Sequence, residues 1–208
     1  MPLLNLKTLE SWQIPMAHEA FHARNGAGFA SAGYSNGTAL ALVFDNVRAL
    51  KSKGIYERAL LSAFVGCKGN HSHWTLDPIR YLFEAADAAA LRKCGSPIPV
   101  APITAYRGIS GQGRRRRIRS LSWTMSLEVA CWFALRYEHL KNPAVYSTTF
   151  TPNQILAVVE DRGEQEVIGL PEKIERVRMP PDEMEKLAKI HTEAIRKRDV
   201  SALKRKVV

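Results

Sequence analysis

A chain of 208 residues, 46% hydrophobic and 24% charged, carries enough apolar side chain for a folded core, as one domain or one domain with a helical extension. Its net charge of +10 favours contact with nucleic acid, acidic proteins or anionic ligands, and says nothing about fold. Cys67, Cys94 and Cys131 lie far apart, which excludes a C-x-x-C pair and a disulfide framework and suits a reducing cytoplasm; residues 1–15 lack a signal-peptide pattern, and runs such as 39–44 are too short to cross a bilayer.

Residues 1–36 are mixed and, after Asn25, rich in Gly, Ala and Ser; they read as a helix fragment and loops. From Thr38, Leu40, Val43, Phe44, Val47 and Leu50 recur at helical spacing, which predicts one helix. A second helix is expected after Gly54, with Ile55, Leu60, Leu61 and Phe64 on its apolar side. A polar break follows at 69–73. Asp77-Pro78 has the form of an N-cap and a first helical position, and the helix it opens is expected to run to Cys94 and stop at Gly95. Residues 1–97 thus form a mainly helical lobe. The prolines at 97, 99 and 102 cannot continue a helix. They mark a boundary, and residues 98–208 form the second part.

In that second part the pattern changes to strands. They are expected at Ile103–Gly108, Arg119–Met125, Val145–Thr151, Ile155–Val159 and Gln165–Leu170. One helix, capped by Ser126, runs through Val129, Trp132, Phe133 and Leu135. A last helix starts at Pro180-Pro181-Asp182 and ends in basic residues. Strands with few intervening helices predict an α+β fold with mainly antiparallel pairing.

Three short stretches bear chemistry. In Glu164-Gln165-Glu166 the two acids share a face if the strand starts that early, and two neighbouring carboxylates push one pKa up. Such pairs suit the stabilisation of a sugar cation with a proton acceptor nearby; two ordinary acids at an exposed strand start would look the same. In Ser122-Trp123-Thr124 the hydroxyls share a face and are able to hold a carboxylate or a ribose, although Ser and Thr are common on half-exposed strands. In Tyr106-Arg107-Gly108 an Arg is followed by a Gly that lets a ligand approach the backbone, as a phosphate grip requires. A surface Arg in an ion pair would give the same letters.

In this order, Tyr-Arg-Gly, Ser-x-Thr before a helix and Glu-x-Glu opening a strand, the chain resembles the ADP-ribosyltransferase family of the Arg–Ser–Glu class. The resemblance covers roughly residues 100–170 and rests on order and spacing. It implies a core of two packed, mainly antiparallel sheets, with an N-terminal helical lobe and a C-terminal helix, binding NAD as substrate without a metal. It implies that Arg107 binds the NAD phosphates and that the Gly108 backbone faces the nicotinamide amide. Tyr106 belongs to the same NAD-binding strand. Ser122 positions the nicotinamide ribose and the catalytic acid, supported by Thr124. Glu166 bonds the ribose 2′-hydroxyl and stabilises the oxocarbenium-like state, while Glu164 orients or deprotonates the nucleophile. Glu at that place is associated in the family with arginine acceptors. Asp161, Arg162 and Gly163 match the turn that recognises the target. Phe133 and Tyr146 are the candidates for stacking on nicotinamide. Trp123 departs from the family, which favours small residues there, and is expected to pack between the sheets.

The implied function is mono-ADP-ribosylation of a macromolecule in the cytoplasm, with protein arginine as the favoured acceptor. Toxin, effector and phage-encoded host modifier all fit. RNA or DNA as acceptor, NAD glycohydrolysis with water as nucleophile, and a non-catalytic nucleic-acid-binding module are the rivals. The run Arg114, Arg115, Arg116 and Arg117 is either a solvated loop or a strip that binds an acidic or nucleic-acid target. His71 and His73 lack further ligands for a metal, and Gly108, Gly111 and Gly113 do not make a dinucleotide-binding fingerprint.

Overall fold

The computed structural model describes residues 3–66, 74–113, 116–160 and 164–206. It divides into two compact units, residues 1–96 and 97–208.

The described part of the first unit is helical: α1 (Ile14–His22), α2 (Gly26–Ser31), α3 (Ala39–Asp45), α4 (Val47–Lys53), α5 (Tyr56–Gly66), α6 (Leu76–Glu84) and α7 (Ala88–Cys94). Phe29, Leu40, Leu42, Leu50, Tyr56, Leu60 and Leu82 are almost completely buried in its core. The helix expected from Thr38 is in fact two. Asn46 leaves helical geometry (φ −118°, ψ 16°) between α3 and α4. Its amide bonds back to Leu42 O at 2.8 Å and pairs with Asn5 through Asn5 O and Asn5 N, both at 2.7 Å. A short polar side chain that competes with the helix backbone explains the break. Gly54, at φ +71°, ends α4 in the left-handed conformation that glycine adopts without strain.

The helix expected over 77–94 also divides. Asp87 caps α7 by accepting from Ala90 N at 2.7 Å, and its own N–H donates to Glu57 at 3.0 Å. Asp77 lies inside the first turn of α6, whose cap residue is Thr75. There a carboxylate still complements the helix dipole.

The second unit holds β1 (Ile103–Ile109), β2 (Ser122–Thr124), α8 (Leu127–Leu135), β3 (Ala144–Phe150), β4 (Ile155–Val159), β5 (Glu166–Gly169), β6 (Glu175–Arg176) and α9 (Pro181–Lys206). The chain is α+β, and every strand pairing is antiparallel. The expected two sheets are not what the described residues form: hydrogen bonding runs through one open sheet in the order β4-β5-β2-β1-β3-β6. The fusion occurs at β2. This strand is only three residues long, pairs with β5 throughout, and reaches β1 in a single pair, Tyr106 with Thr124.

Trp123 anchors one face of the sheet. It is buried among Ala105 and Phe150 from one half and Ile155, Val158 and Val167 from the other, with its ring edge-on to Phe150. Its indole N–H is satisfied by Ser120 O at 2.8 Å. On the opposite face Val145 and Tyr106 pack with Ala130, Cys131 and Ala134 of α8 and with Met184 and Ala188 of α9. Ser126 caps α8 by accepting from Val129 N at 3.1 Å. Gly108 has a packing reason to be glycine: a Cβ there would lie 1.7 Å from Ala130 O, so a side chain would push α8 off β1.

Candidate active site

The pairing of β2 with β5 places Thr124 opposite Glu166 and Ser122 opposite Ile168. Partners across an antiparallel pair, and residues two apart on a strand, share a face. Ser122, Thr124 and Glu166 therefore project together, away from Trp123 and Val167. Ser122 Oγ donates to Glu166 Oε1 at 2.5 Å. This is the short end of the range for a hydroxyl on a carboxylate. Both residues are half-buried, so the bond is neither lost in the core nor open to bulk water.

Arg107 occupies the neighbouring strand and is 8% exposed. Its Nη1 donates to Ser122 O at 2.7 Å and its Nε to Arg117 O at 3.2 Å. Burial lowers the pKa of its guanidinium to about 10; the Glu166 carboxylate opposes that fall and the Arg117 charge adds to it. Arg107 therefore stays charged at neutral pH. The site combines a buried cation with a half-buried anion, linked through Ser122: its carbonyl meets Arg107 and its hydroxyl meets Glu166. Two of the five N–H donors of Arg107 are committed to carbonyls, and the rest of the fork remains suited to an anion. On this ground the residues fit the phosphates of a dinucleotide.

Thr124 is engaged with backbone. Its Oγ1 donates to Glu164 O at 2.5 Å and accepts from Ser126 N at 3.1 Å. It therefore fixes the segment that leads into β5. That segment is not strand at Glu164: β5 begins at Glu166, and Gln165 has φ +45°. The left-handed conformation costs a non-glycine residue roughly 1–2 kcal/mol. The expected pleat relation between Glu164 and Glu166 fails at this residue, and Glu164 is carried by the turn. Met125 N, just past β2, still donates to Gln165 O at 3.1 Å, so the segment is tied down at both Glu164 and Gln165.

Other sequence candidates distribute as follows. Tyr106 packs on the α8 face. Gly108 is explained by α8. Phe133 lies edge-on to Trp132 with ring centroids 5.0 Å apart, beneath the guanidinium of Arg136 near the end of α8. Tyr146 sits opposite Arg107 in β3 and packs against the Trp123 cluster, which makes it the aromatic nearer the buried cation. Arg116 Nη1 donates to Gly111 O at 3.1 Å and to Asn142 O. Arg114, Arg115, Asp161, Arg162, Gly163, His71 and His73 lie outside the described residues. Among the described residues no three His, Cys, Asp or Glu converge as metal ligands, and no helix is long and apolar enough to cross a membrane.

Glu128, an acid that sequence reasoning passed over, lies in the first turn of α8 and faces His191 of α9. Its Oε2 accepts from Ser126 Oγ at 2.7 Å, and that bond, then the backbone N–H of Glu128 itself, holds its carboxyl below the usual range. The signal was available: an acid in the first turn directly after a Ser cap. Burial pushes the Cys131 thiol up to about 11, which removes it as a nucleophile. Compared with protein-family models, curated proteins and solved structures, the chain finds no match in any of the three.

Proposed function

We propose that the chain is an NAD-dependent mono-ADP-ribosyltransferase, with the two halves of the sheet around Trp123 serving as an ADP-ribosyltransferase-like core. The observation that carries this reading is the Ser122–Glu166 hydrogen bond, made between residues 44 apart in sequence that belong to the Ser-x-Thr and Glu-x-Glu stretches. The Arg107 guanidinium on the Ser122 carbonyl supports it, because all three stretches of the resemblance then meet within one network.

In this reading Arg107 and its field draw in the pyrophosphate of NAD. Ser122 fixes the Glu166 carboxylate so that no reorganisation is needed as positive charge develops on the ribose. The bond between ribose C1′ and the nicotinamide nitrogen breaks, and nicotinamide leaves with the electron pair. An acceptor nitrogen forms the new bond to C1′ and passes its proton to Glu164. Thr124 acts on Glu164 through the backbone, by holding its carbonyl. Protein arginine is the favoured acceptor, since a second acid at Glu164 suits a guanidinium. Arg116 braces its own loop, which weakens the case for the whole Arg run as the acceptor surface. The cytoplasm is the proposed compartment, and a toxin, effector or phage-encoded modifier the proposed setting.

Labelled NAD in a bacterial lysate, with wild type and Glu166→Ala side by side, tests the reading. Label that needs Glu166 and is removed by protease supports it. Label removed by nuclease moves the acceptor to RNA or DNA. Free ADP-ribose without labelled macromolecule makes the chain a glycohydrolase. Neither label nor released nicotinamide overturns the enzyme reading.

A further inference from the structure

The end of α8 carries a group of aromatic and basic side chains that the candidate active site does not use. Arg136 is exposed. Its guanidinium lies 5.1 Å from the Trp132 ring centroid, 5.9 Å from that of Phe133 and 5.2 Å from that of Tyr137. Tyr137 is 42% exposed and stands 5.9 Å from the ring of His139, itself exposed. The turn that presents them is closed by Leu140 N donating to Tyr137 O at 2.9 Å. An apolar cluster made for the core would not leave Tyr137, Arg136 and His139 in solvent.

This turn is fastened to the basic loop after β1. Gly111 N donates to Lys141 O at 2.7 Å, and Arg116 donates to Asn142 O. The two hydrogen bonds set Arg116 and Lys141 beside the aromatic group. Glu138 is the one acid between Glu128 and Glu160, and Arg116, Arg136 and Lys141 outnumber it. The exposed Tyr137 and His139 rings and the exposed Arg136 guanidinium, bordered by cations, match two needs of an unpaired nucleic-acid strand. Its bases stack on aromatic and Arg planes, and its phosphates are neutralised by Lys and Arg. A duplex hides its base faces and would gain only the second. An acidic protein would likewise use the charges and leave the rings idle.

We propose that Arg136, Tyr137 and His139, backed by the core-packed Trp132 and bordered by Arg116 and Lys141, form a binding surface for single-stranded nucleic acid, on which unpaired bases stack. It is independent of NAD chemistry and would act equally in an enzyme or in a binding module.

The test is fluorescence anisotropy with the full chain, using an oligouridylate of about 12 nucleotides, its deoxy counterpart, a duplex of the same length and polyglutamate, the strand length lying within the span of such surfaces. Arg136→Gln/Tyr137→Ala is compared with wild type, its fold checked by circular dichroism. Both substitutions lie on exposed side chains, and if the pair perturbs the spectrum the single Tyr137→Ala serves. Wild type is expected to bind a single strand about tenfold more tightly than duplex, and the variant to lose about tenfold on the single strand while losing several-fold less on the duplex, which feels only the missing Arg136 charge. Whichever of the ribo- and deoxy-strands binds more tightly identifies the source. Equal binding of single strand and duplex, binding of polyglutamate as tight as of the strand, or a variant that binds the strand as wild type does would overturn the proposal.

Discussion

The two units treat their polar groups differently. In the helical unit, polar side chains in the interior complete the backbone. Asn46 bonds to three main-chain groups, Gln13 accepts from Glu10 N at 2.7 Å, and the buried Tyr56 hydroxyl donates to Leu82 O at 2.7 Å. With the Gln13 amide also donating to Ser35 Oγ at 2.8 Å, each ties two segments together, and a buried polar group avoids a desolvation penalty by such pairing. In the sheet unit, the mouth of β2 and β5 instead holds a hydroxyl on a carboxylate, a buried guanidinium and a left-handed Gln165. The guanidinium closes two carbonyls, but the hydroxyl–carboxylate bond completes no backbone group. An anion bonded to a side chain rather than to backbone is what a site requires, and the proposed function rests on that contrast.

The comparison breaks most visibly at Gly108. Gly108→Ala would place a methyl against Ala130 O and is expected to destabilise the sheet unit by about 3 kcal/mol or more, read as a lower urea midpoint. A near-neutral result would mean that α8 is free to shift and that its packing does not fix the site. Asn46→Ala should cost about 2–3 kcal/mol, because it removes three hydrogen bonds and leaves Asn5 and Leu42 backbone groups unpaired. It is expected to leave any NAD turnover per folded molecule unchanged, which tests the assignment of Asn46 to structure alone.

A third prediction concerns pH. His191 of α9 is buried against Trp132 at 5.3 Å; burial, and then the charge of Arg198, hold its pKa below the usual value of 6.5, with the Glu128 carboxylate opposing them. The folded state therefore favours the neutral ring. The unfolded chain takes up the proton first, so stability is full above pH 6.5 and declines as pH falls below it. The depressed Glu128 carboxyl gives a separate loss, beginning only near its ordinary value of 4.5. Urea midpoints at decreasing pH should show the first decline in wild type and not in His191→Phe. The smallest effect is expected at Gln165. Gln165→Gly relieves the left-handed conformation and should stabilise by up to about 1 kcal/mol, while loosening the turn that carries Glu164.

Much of this was legible in the sequence because local chemistry set it. Ser126 capping α8, the common face of Ser122 and Thr124, and the α+β division of elements follow from spacing and caps. Asn46 and Asp87 broke helices that apolar periodicity alone ran together, since periodicity does not register a side chain that competes for the backbone. The six-residue span expected for β5 shortened to four because Gln165 carries no sequence mark of a left-handed residue. The single sheet was hidden too, for it depends on one pairing of Tyr106 with Thr124, a tertiary contact. Gly108 was read for ligand approach when helix packing already requires it.

The most direct measurement of the central claim is nicotinamide release from NAD by wild type and Glu166→Gln at matched folded fractions. The variant keeps the shape and a hydrogen-bond partner for Ser122, and loses the charge. The account predicts turnover lower by about a factor of 10²–10³, with the urea midpoint little changed. Equal turnover in the two proteins, or loss of turnover that merely follows loss of folded protein, would contradict it.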